Sequence, residues 1–471
     1  MSRGLRRLFA AILAVCLALP ASAATPTAGA LGLLSKSEER KIGRQVVEEV
    51  DRHFRMIDDP YVTLYLKRVG DRVLAPMGVP QFETDFHVVA DSTINAFAVP
   101  GGHVFLTSQA VLLCGDESEL AGVVAHELGH VEGRHLAHRV ESATKVNLAT
   151  LAAIIAAAFL GSAQAGAALS TFAVAAAQTK MLQYSRTDEE DADRRAVRAL
   201  TAAGYDGWGL VRFMETLRRQ SPAPEGVPAY LFTHPLPENR EAYLAATLPP
   251  PPDKRPGPEQ LGLLWRTQAR ILVQDPRSWG FSLFASRVRE NPSSPDAQLG
   301  LALLLRSQGR YDEALAALHT AERLRPSDPE IAHESAMIRL RQGHTKEALE
   351  ALEALRATGE AAPPVLMDLG WAYLESDQGE KALAVYGDLA SRKPQWDKTD
   401  YYRGLALGKT GREGEAHALL GDYYRKEDQP ELAARQYREA LRRLPAGDLR
   451  TQVEASLREV EARERRPSRD N

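Results

Sequence analysis

The sequence predicts a mostly α-helical chain, in which an α+β domain with a small sheet is followed by an α-solenoid. Three observations support this fold class. Apolar residues recur at helical spacing through most of the chain. Short segments typical of strands are concentrated between residues 82 and 107. In the C-terminal half, small and apolar residues return every 34 positions.

Length and charge limit the classes of function. At 471 residues, the chain has room for two or three domains with sizeable cores. Charged residues make up 25% and apolar residues 44%, which is ordinary for a globular protein. The formal net charge of −4 gives no indication of a nucleic-acid-binding surface, so no nucleic-acid partner is expected.

The first 23 residues have the pattern of a secretory signal peptide. Arg3, Arg6 and Arg7 precede an apolar stretch, and Ala21-Ser22-Ala23 is typical of a cleavage site. The pattern predicts export to the periplasm. It leaves Cys114 as the one remaining cysteine, so no internal disulfide is expected.

The segment from residue 34 to residue 107 predicts two helices and then the sheet. Ser35 with Glu38 forms a capping box that starts the first helix, and Pro60 opens the second. Phe86–Ala90 is predicted as a strand. Asn95–Val99 and His103–Leu106 flank a Pro-Gly-Gly turn, which indicates a hairpin. An extended peptide can add to the edge of such a sheet.

A metal-binding pattern follows the sheet. His126 and His130 lie four residues apart in a helical run predicted over 117–141, so both rings leave one helix face and can bind one metal ion. Zn²⁺ suits this HExxH pattern, with Glu127 placed to take a proton from the attacking water. A metzincin would have a third histidine at the position of Leu136. His135 is one residue away, and we interpret it and His138 as non-ligands.

The third metal ligand is expected on a second helix, near residue 189. Glu189 is the first candidate, and Asp193 lies one turn later, where it can accept the free ring N–H of a ligating histidine. Glu190 and Asp191 are alternatives by register, and a solvated acidic helix start is the simplest explanation of these residues taken alone. His234 is a candidate fourth ligand at rest or a donor to the developing oxyanion. Arg240 is a weaker candidate for the same pocket.

Residues 146–178 carry no charge and are mostly apolar, with small-residue breaks at Gly161-Ser162 and Ala165-Gly166. Each half is too short to cross ~30 Å of hydrocarbon. Three interpretations remain open: two core helices or a helical hairpin that covers the cleft, a peripheral membrane contact, and a transmembrane span.

A proline-rich linker separates two predicted domains. We place the domain with the HExxH motif, which is the metalloprotease signature, at 24–248. The linker follows at 249–260, a repeat domain at 261–445 and a charged helix or tail at 446–471. Ala302 and Gly309 recur as Ala336 and Gly343, a shift of 34 residues. This is the tetratricopeptide period of paired helices, which stack into a superhelix that binds peptides or proteins.

Together, the HExxH segment, Glu189–Asp193, Asn95–Gly102 and Thr233-His234-Pro235 resemble the M48 peptidases, in particular the periplasmic branch that carries repeats. The resemblance implies a zinc-dependent endopeptidase with His126, His130 and Glu189 as ligands. It also implies that the clients are unfolded or misassembled outer-membrane β-barrel proteins, and that the barrel-assembly machinery is a partner. The alternative is a gated chaperone for barrel assembly, whose peptidase is normally closed.

Overall fold

A computed structural model of the chain describes residues 34–142, 155, 184–220, 230, 234, 240–251, 258–359, 361–392, 398–427 and 429–464. The predicted signal peptide lies outside the described residues, as does all of the apolar segment 146–178 except residue 155. Within the described part of the chain, no helix is long and apolar enough to cross a membrane.

Two helices open the described chain, as predicted. Helix α1 spans Lys36–His53, and the predicted capping box between Ser35 and Glu38 is present at its start. Helix α2 spans Pro60–Leu74 and continues into a 3-10 helix at Ala75–Met77. The Asp59 side chain accepts the first free N–H groups of α2, because these groups have no partner inside the helix.

The sheet has three strands, β1 (Asp85–Val89), β2 (Ala96–Val99) and β3 (His103–Thr107), and their order across the sheet is β1-β3-β2. Strands β2 and β3 form the predicted antiparallel hairpin. Strand β1 runs parallel to β3. Strand β2 is therefore an edge of this sheet, and no other strand among the described residues pairs with its outer side.

The other helices described in the N-terminal region include the one that carries the HExxH motif. They are α3 (Ser108–Leu113), α4 (Glu117–Glu132), α5 (His135–Ser142), α6 (Arg186–Ala202), α7 (Trp208–Arg219) and α8 (Arg240–Thr247). The sequence predicted one helix over 117–141, and this was wrong. Helix α4 ends at Glu132, and the chain turns at Arg134, whose φ of 51° lies in the left-handed region. Helix α5 then leaves in a new direction.

The C-terminal region is the predicted solenoid of paired helices. They are α9 (Pro258–Gln274), α10 (Gly280–Glu290), α11 (Pro295–Ser307), α12 (Tyr311–Leu324), α13 (Pro329–Arg341), α14 (Thr345–Ala357), α15 (Pro363–Glu375), α16 (Gly379–Ser391), α17 (Lys398–Lys409), α18 (Glu413–Lys426), α19 (Pro430–Arg443) and α20 (Asp448–Glu464). Gly309, Gly343 and Gly411 have positive φ in the turns between paired helices. Asp377 takes the same conformation at the corresponding position, which preserves the 34-residue period.

The solenoid packs directly against the N-terminal region. The buried Gln268 side chain on α9 donates to the backbone carbonyls of Val111 and Cys114, at 3.1 and 3.0 Å. One hydrophobic cluster contains Leu120 and Val124 of α4 together with Leu264 of α9. The first helix of the solenoid is therefore part of the core that supports α4.

The start of α2 and the two residues before it make further polar contacts with the solenoid. The Arg270 guanidinium lies 4.1 Å from the Tyr61 ring centre and pairs with Asp59. The hydroxyl of Tyr61 lies 2.8 Å from Nδ1 of His333 on α13, and Lys398 on α17 pairs with Asp58. Residues 58–61 thus contact three separate helices of the solenoid.

Candidate metal centre

Helix α4 places two histidines side by side in the protein interior. All residues from Ser118 to Val131 are buried. The Nε2 atoms of His126 and His130 lie 3.1 Å apart, since a spacing of four residues brings both rings to one helix face. The spacing in the sequence therefore predicted this pair correctly.

The third candidate ligand comes from α6, and Gly129 explains how it reaches the pair. A Cβ at Gly129 would lie 2.9 Å from the carbonyl oxygen of Ala192, so only glycine allows α6 to approach this closely. The carboxylate of Glu189 lies 3.4 Å from Nε2 of both His126 and His130. Glu190 is exposed, and Asp191 pairs with other side chains. Of the three candidates, the structure brings Glu189 to the histidines.

His234 completes the group. Its Nδ1 atom lies 3.3 Å from Nε2 of His126 and 3.0 Å from Oε1 of Glu189. One ligand atom from each of His126, His130, Glu189 and His234 lies within 4.8 Å of the others, and all four residues are buried. The structure thus places His234 among the candidate ligands rather than on the surface.

Two buried tyrosines hold these rings, and sequence reasoning missed both. The ring of Tyr184 stacks on His130 at 3.8 Å between centroids. The ring of Tyr230 stacks on His234 at 4.4 Å. Neither residue belongs to a motif or to a long periodic segment, so no local signal could have identified them.

Glu127 lies beside the candidate ligands with its carboxylate buried. Neither oxygen has a hydrogen-bond partner among the described residues, and Oε1 lies 3.6 Å from Nε2 of His234. Burial raises the pKa of Glu127, because the charged form loses its hydration. A carboxylate in this environment has a higher proton affinity than one in water.

Asp193 lies beside the first histidine, where the sequence placed it. Its Oδ1 atom lies 3.0 Å from Nδ1 of His126. Arg240, the weaker candidate from the sequence, donates two hydrogen bonds to Asp193, at 2.5 and 2.7 Å, and lies 2.6 Å from Oε2 of Glu189. Burial acts to raise the pKa of Asp193, but the Arg240 charge and these hydrogen bonds outweigh it and hold the pKa below its usual value.

This arrangement defines a class of protein. A buried HExxH helix, with a carboxylate from a second helix beside its two histidines, is the arrangement typical of metallopeptidase sites. In agreement, residues 60–247 match the model of Peptidase family M48, and residues 283–329 and 339–407 match tetratricopeptide repeat models. The chain therefore contains an M48-family metallopeptidase domain followed by tetratricopeptide repeats.

Curated relatives support the same assignment. The chain is 34% identical over 226 residues to the beta-barrel assembly-enhancing protease of Yersinia pestis, a match that covers 47% of this chain and 46% of the relative. It is also 34% identical over 213 residues to the protein of that name from Escherichia coli strain K12, covering 44% and 43%. The mitochondrial metalloendopeptidase OMA1 of Schizosaccharomyces pombe is 30% identical over 225 residues, covering 46% and 63%. The match thus spans less than half the length of the first two relatives.

Proposed function

We propose that the chain is a zinc-dependent endopeptidase. The observation that carries this proposal is the buried group of His126, His130, Glu189 and His234 with the Glu127 carboxylate beside it. Imidazole and carboxylate are the ligand types that zinc takes in catalytic sites.

The spacing of the donors fits zinc. Ligand atoms at ~2.0–2.1 Å from a tetrahedral zinc ion lie roughly 3.3 Å from one another. Five of the distances among nitrogen and oxygen atoms of His126, His130, Glu189 and His234, 3.0–3.4 Å, have this size. They involve both oxygens of Glu189, and one ligand atom from each residue lies within 4.8 Å of the others. When bound, the metal polarises the scissile carbonyl and makes water a stronger acid. His126, His130 and Glu189 would hold it, with His234 as a fourth donor at rest.

Glu127 is the proposed general base. Burial raises its pKa, so its carboxylate takes the proton of the attacking water more readily than an exposed carboxylate would. The same carboxyl group then delivers that proton to the leaving amine. Asp193 and Arg240 act indirectly, because Asp193 fixes the ring of His126 and Arg240 neutralises the two buried acidic side chains.

We propose that an extended peptide adds to the edge of the sheet next to this site once that edge, whose residues are buried in this structure, becomes accessible. Ala98 and Val99 of the edge strand β2 line the same pocket as His130 and Tyr184. A peptide that added to β2 by main-chain hydrogen bonds would pass the candidate metal centre. This mode of binding selects backbone rather than a particular side chain, which suits unfolded proteins as substrates.

The cellular role is proposed from the relatives and the repeats. Relatives named for β-barrel assembly suggest clients among misfolded or stalled outer-membrane proteins, and a partner in the assembly machinery. The N-terminal segment, with its basic and apolar parts, supports a periplasmic location. Stacked tetratricopeptide repeats provide a surface on which the client or the machinery can bind.

The test is degradation of an unfolded outer-membrane β-barrel protein by residues 24–471. Glu127→Gln is the matched variant, and the zinc content of both proteins is measured. We expect the wild type to cleave, and the zinc-loaded variant to be slower by at least ~10²-fold. The endopeptidase function would be contradicted if neither the zinc-loaded wild type nor the zinc-loaded His234→Ala variant cleaves any of a panel of unfolded proteins.

A specific observation favours a second function, a gated chaperone. His234 lies among the candidate ligands, and a fourth protein ligand would close the position that a substrate needs. In this case the repeats would act on barrel assembly while the peptidase stays shut. If Glu127→Gln supports outer-membrane protein assembly in cells as well as the wild type does, the chaperone function is favoured. Loss of assembly in that variant favours proteolysis.

A further inference from the structure

His130, the second histidine of the HExxH motif, contacts another histidine through Nδ1, the ring nitrogen that points away from the candidate metal centre. The motif itself does not predict this contact. The Nδ1 atom of His130 lies 2.9 Å from Nδ1 of His135, and both rings are buried. The two rings meet nearly at right angles, at 80°, with centroids 5.0 Å apart. His130 thus presents Nε2 to the candidate metal centre and Nδ1 to His135.

The break between α4 and α5 creates this contact. On a continuous helix, a side chain five residues after His130 would be rotated by about 140° and would leave a different face. The turn at Gly133 and Arg134 instead folds His135 back onto His130. A Cβ at Gly133 would lie 2.3 Å from Nε2 of His135, so the folded-back ring requires glycine there.

The ring of His135 also has a partner on its far side. Its Nε2 atom lies 3.3 Å from Oδ2 of Asp191, which in turn accepts from Nε of Arg195 at 2.6 Å. A carboxylate only accepts hydrogen bonds, so a neutral His135 that donates to Asp191 would carry its proton on Nε2. Its Nδ1 lone pair would then accept the Nδ1–H of His130. This leaves the Nε2 lone pair of His130 free to bind a metal.

We propose that His135 is a positioning residue that fixes the tautomer and orientation of His130 for metal binding, with Asp191 as the terminal acceptor. The proposal rests on the zinc function proposed above. Each histidine of the HExxH motif then has its own acceptor: Asp193 for His126, and the chain of His135 and Asp191 for His130. Partners of this kind typically change metal affinity by about 10–100-fold.

The test compares His135→Leu with His135→Asn and with the control His138→Leu, which changes an exposed histidine of the same helix. Zinc affinity is measured by competition with a chromophoric chelator, and the absorption spectrum of each Co²⁺-loaded protein is recorded. We expect His135→Leu to bind zinc about 10–100-fold more weakly and to show an altered cobalt spectrum. His135→Asn keeps an acceptor near the position of Nδ1 and should recover most of the affinity.

A second variant guards against misfolding of His135→Leu. Asp191 is only half-buried, so Asp191→Ala should fold, with the exposed neighbour Glu190→Ala as its control. We expect weaker zinc binding in Asp191→Ala and unchanged zinc binding in Glu190→Ala. Wild-type affinity and cobalt spectrum in both His135→Leu and Asp191→Ala would overturn the role of His135 while leaving the zinc site intact. A wild-type protein that binds no zinc would overturn the proposed function itself.

Discussion

Replacing Arg240 with methionine removes the positive charge closest to two buried acidic side chains. In the folded protein, the Arg240 guanidinium donates to both oxygens of Asp193 and lies 2.6 Å from Glu189. All three side chains are buried. Methionine has a similar length and no charge, so the variant leaves both carboxylates without this partner.

The magnitude follows from the burial. Removing one partner of a buried ion pair typically costs about 3–5 kcal/mol in the free energy of unfolding, because an uncompensated charge stays in the interior. For a domain of ~150–250 residues, this corresponds to a decrease of roughly 6–20 °C in Tm. Bound zinc would supply positive charge next to Glu189. We therefore expect a smaller decrease in the zinc-loaded protein than in the metal-free one.

The assay is thermal unfolding of the metal-free and zinc-loaded proteins, each compared with its own wild type. Arg218→Met is the control, since Arg218 is exposed and its pair with Glu241 lies at the surface. A surface pair is worth ~0–1 kcal/mol, so this control should unfold near the wild-type temperature. A loss below about 1 kcal/mol in metal-free Arg240→Met would refute the role of Arg240 as the counter-charge.

Three further predictions follow. Glu127→Gln should raise the Tm of the metal-free protein at neutral pH. Burial raises the pKa of Glu127 in the folded protein, so the wild type loses stability as the pH rises from the unfolded pKa of ~4.3 through the folded pKa. The increase in Tm caused by Glu127→Gln should therefore disappear below pH ~4.3 when melts are recorded over a pH series. Gly129→Ala should destabilise the protein by ~1–3 kcal/mol and weaken zinc binding in a chelator titration, because the new Cβ would push against Ala192 of α6. Unchanged zinc affinity would contradict the close approach of α6 to α4. Gln268→Leu should lower the free energy of unfolding by ~1–3 kcal/mol in a denaturant titration, because the carbonyls of Val111 and Cys114 lose their buried donor. An unchanged free energy of unfolding would show that the contact with α9 does not support α3.

Much of the site could be predicted from local spacing and from the family resemblance. The pair of His126 and His130 follows from helical geometry, and the position of Asp193 one turn after Glu189 predicted its contact with His126. The paired helices of the solenoid follow from the 34-residue period, and Asp377 keeps the turn conformation where glycine is absent. These features depend on residues that are near one another in the sequence.

The features that were missed depend on contacts across the fold. Apolar residues continue at helical spacing through Leu136 and Ala137, so the break at Arg134 was overlooked, although Gly133 is a typical helix-end residue. The sequence therefore indicated only that His135 is a non-ligand, and it gave no sign of the contact with His130. The proline-rich linker predicted a boundary near residues 249–260, and nothing near it indicated that Gln268, beyond the linker, donates to the backbone carbonyls of Val111 and Cys114 at the end of α3.

Zinc content tests the central claim most directly. The wild-type protein, stripped with a chelator, reloaded with zinc and desalted, should retain about one zinc ion per chain by elemental analysis. Glu127→Gln should retain the same amount of zinc, as should His138→Ala, which changes an exposed histidine. His126→Ala and Glu189→Ala should lose most of the zinc, although circular dichroism shows that they are folded. Full zinc content in folded His126→Ala, or none in the wild type, would contradict the assignment of the metal centre.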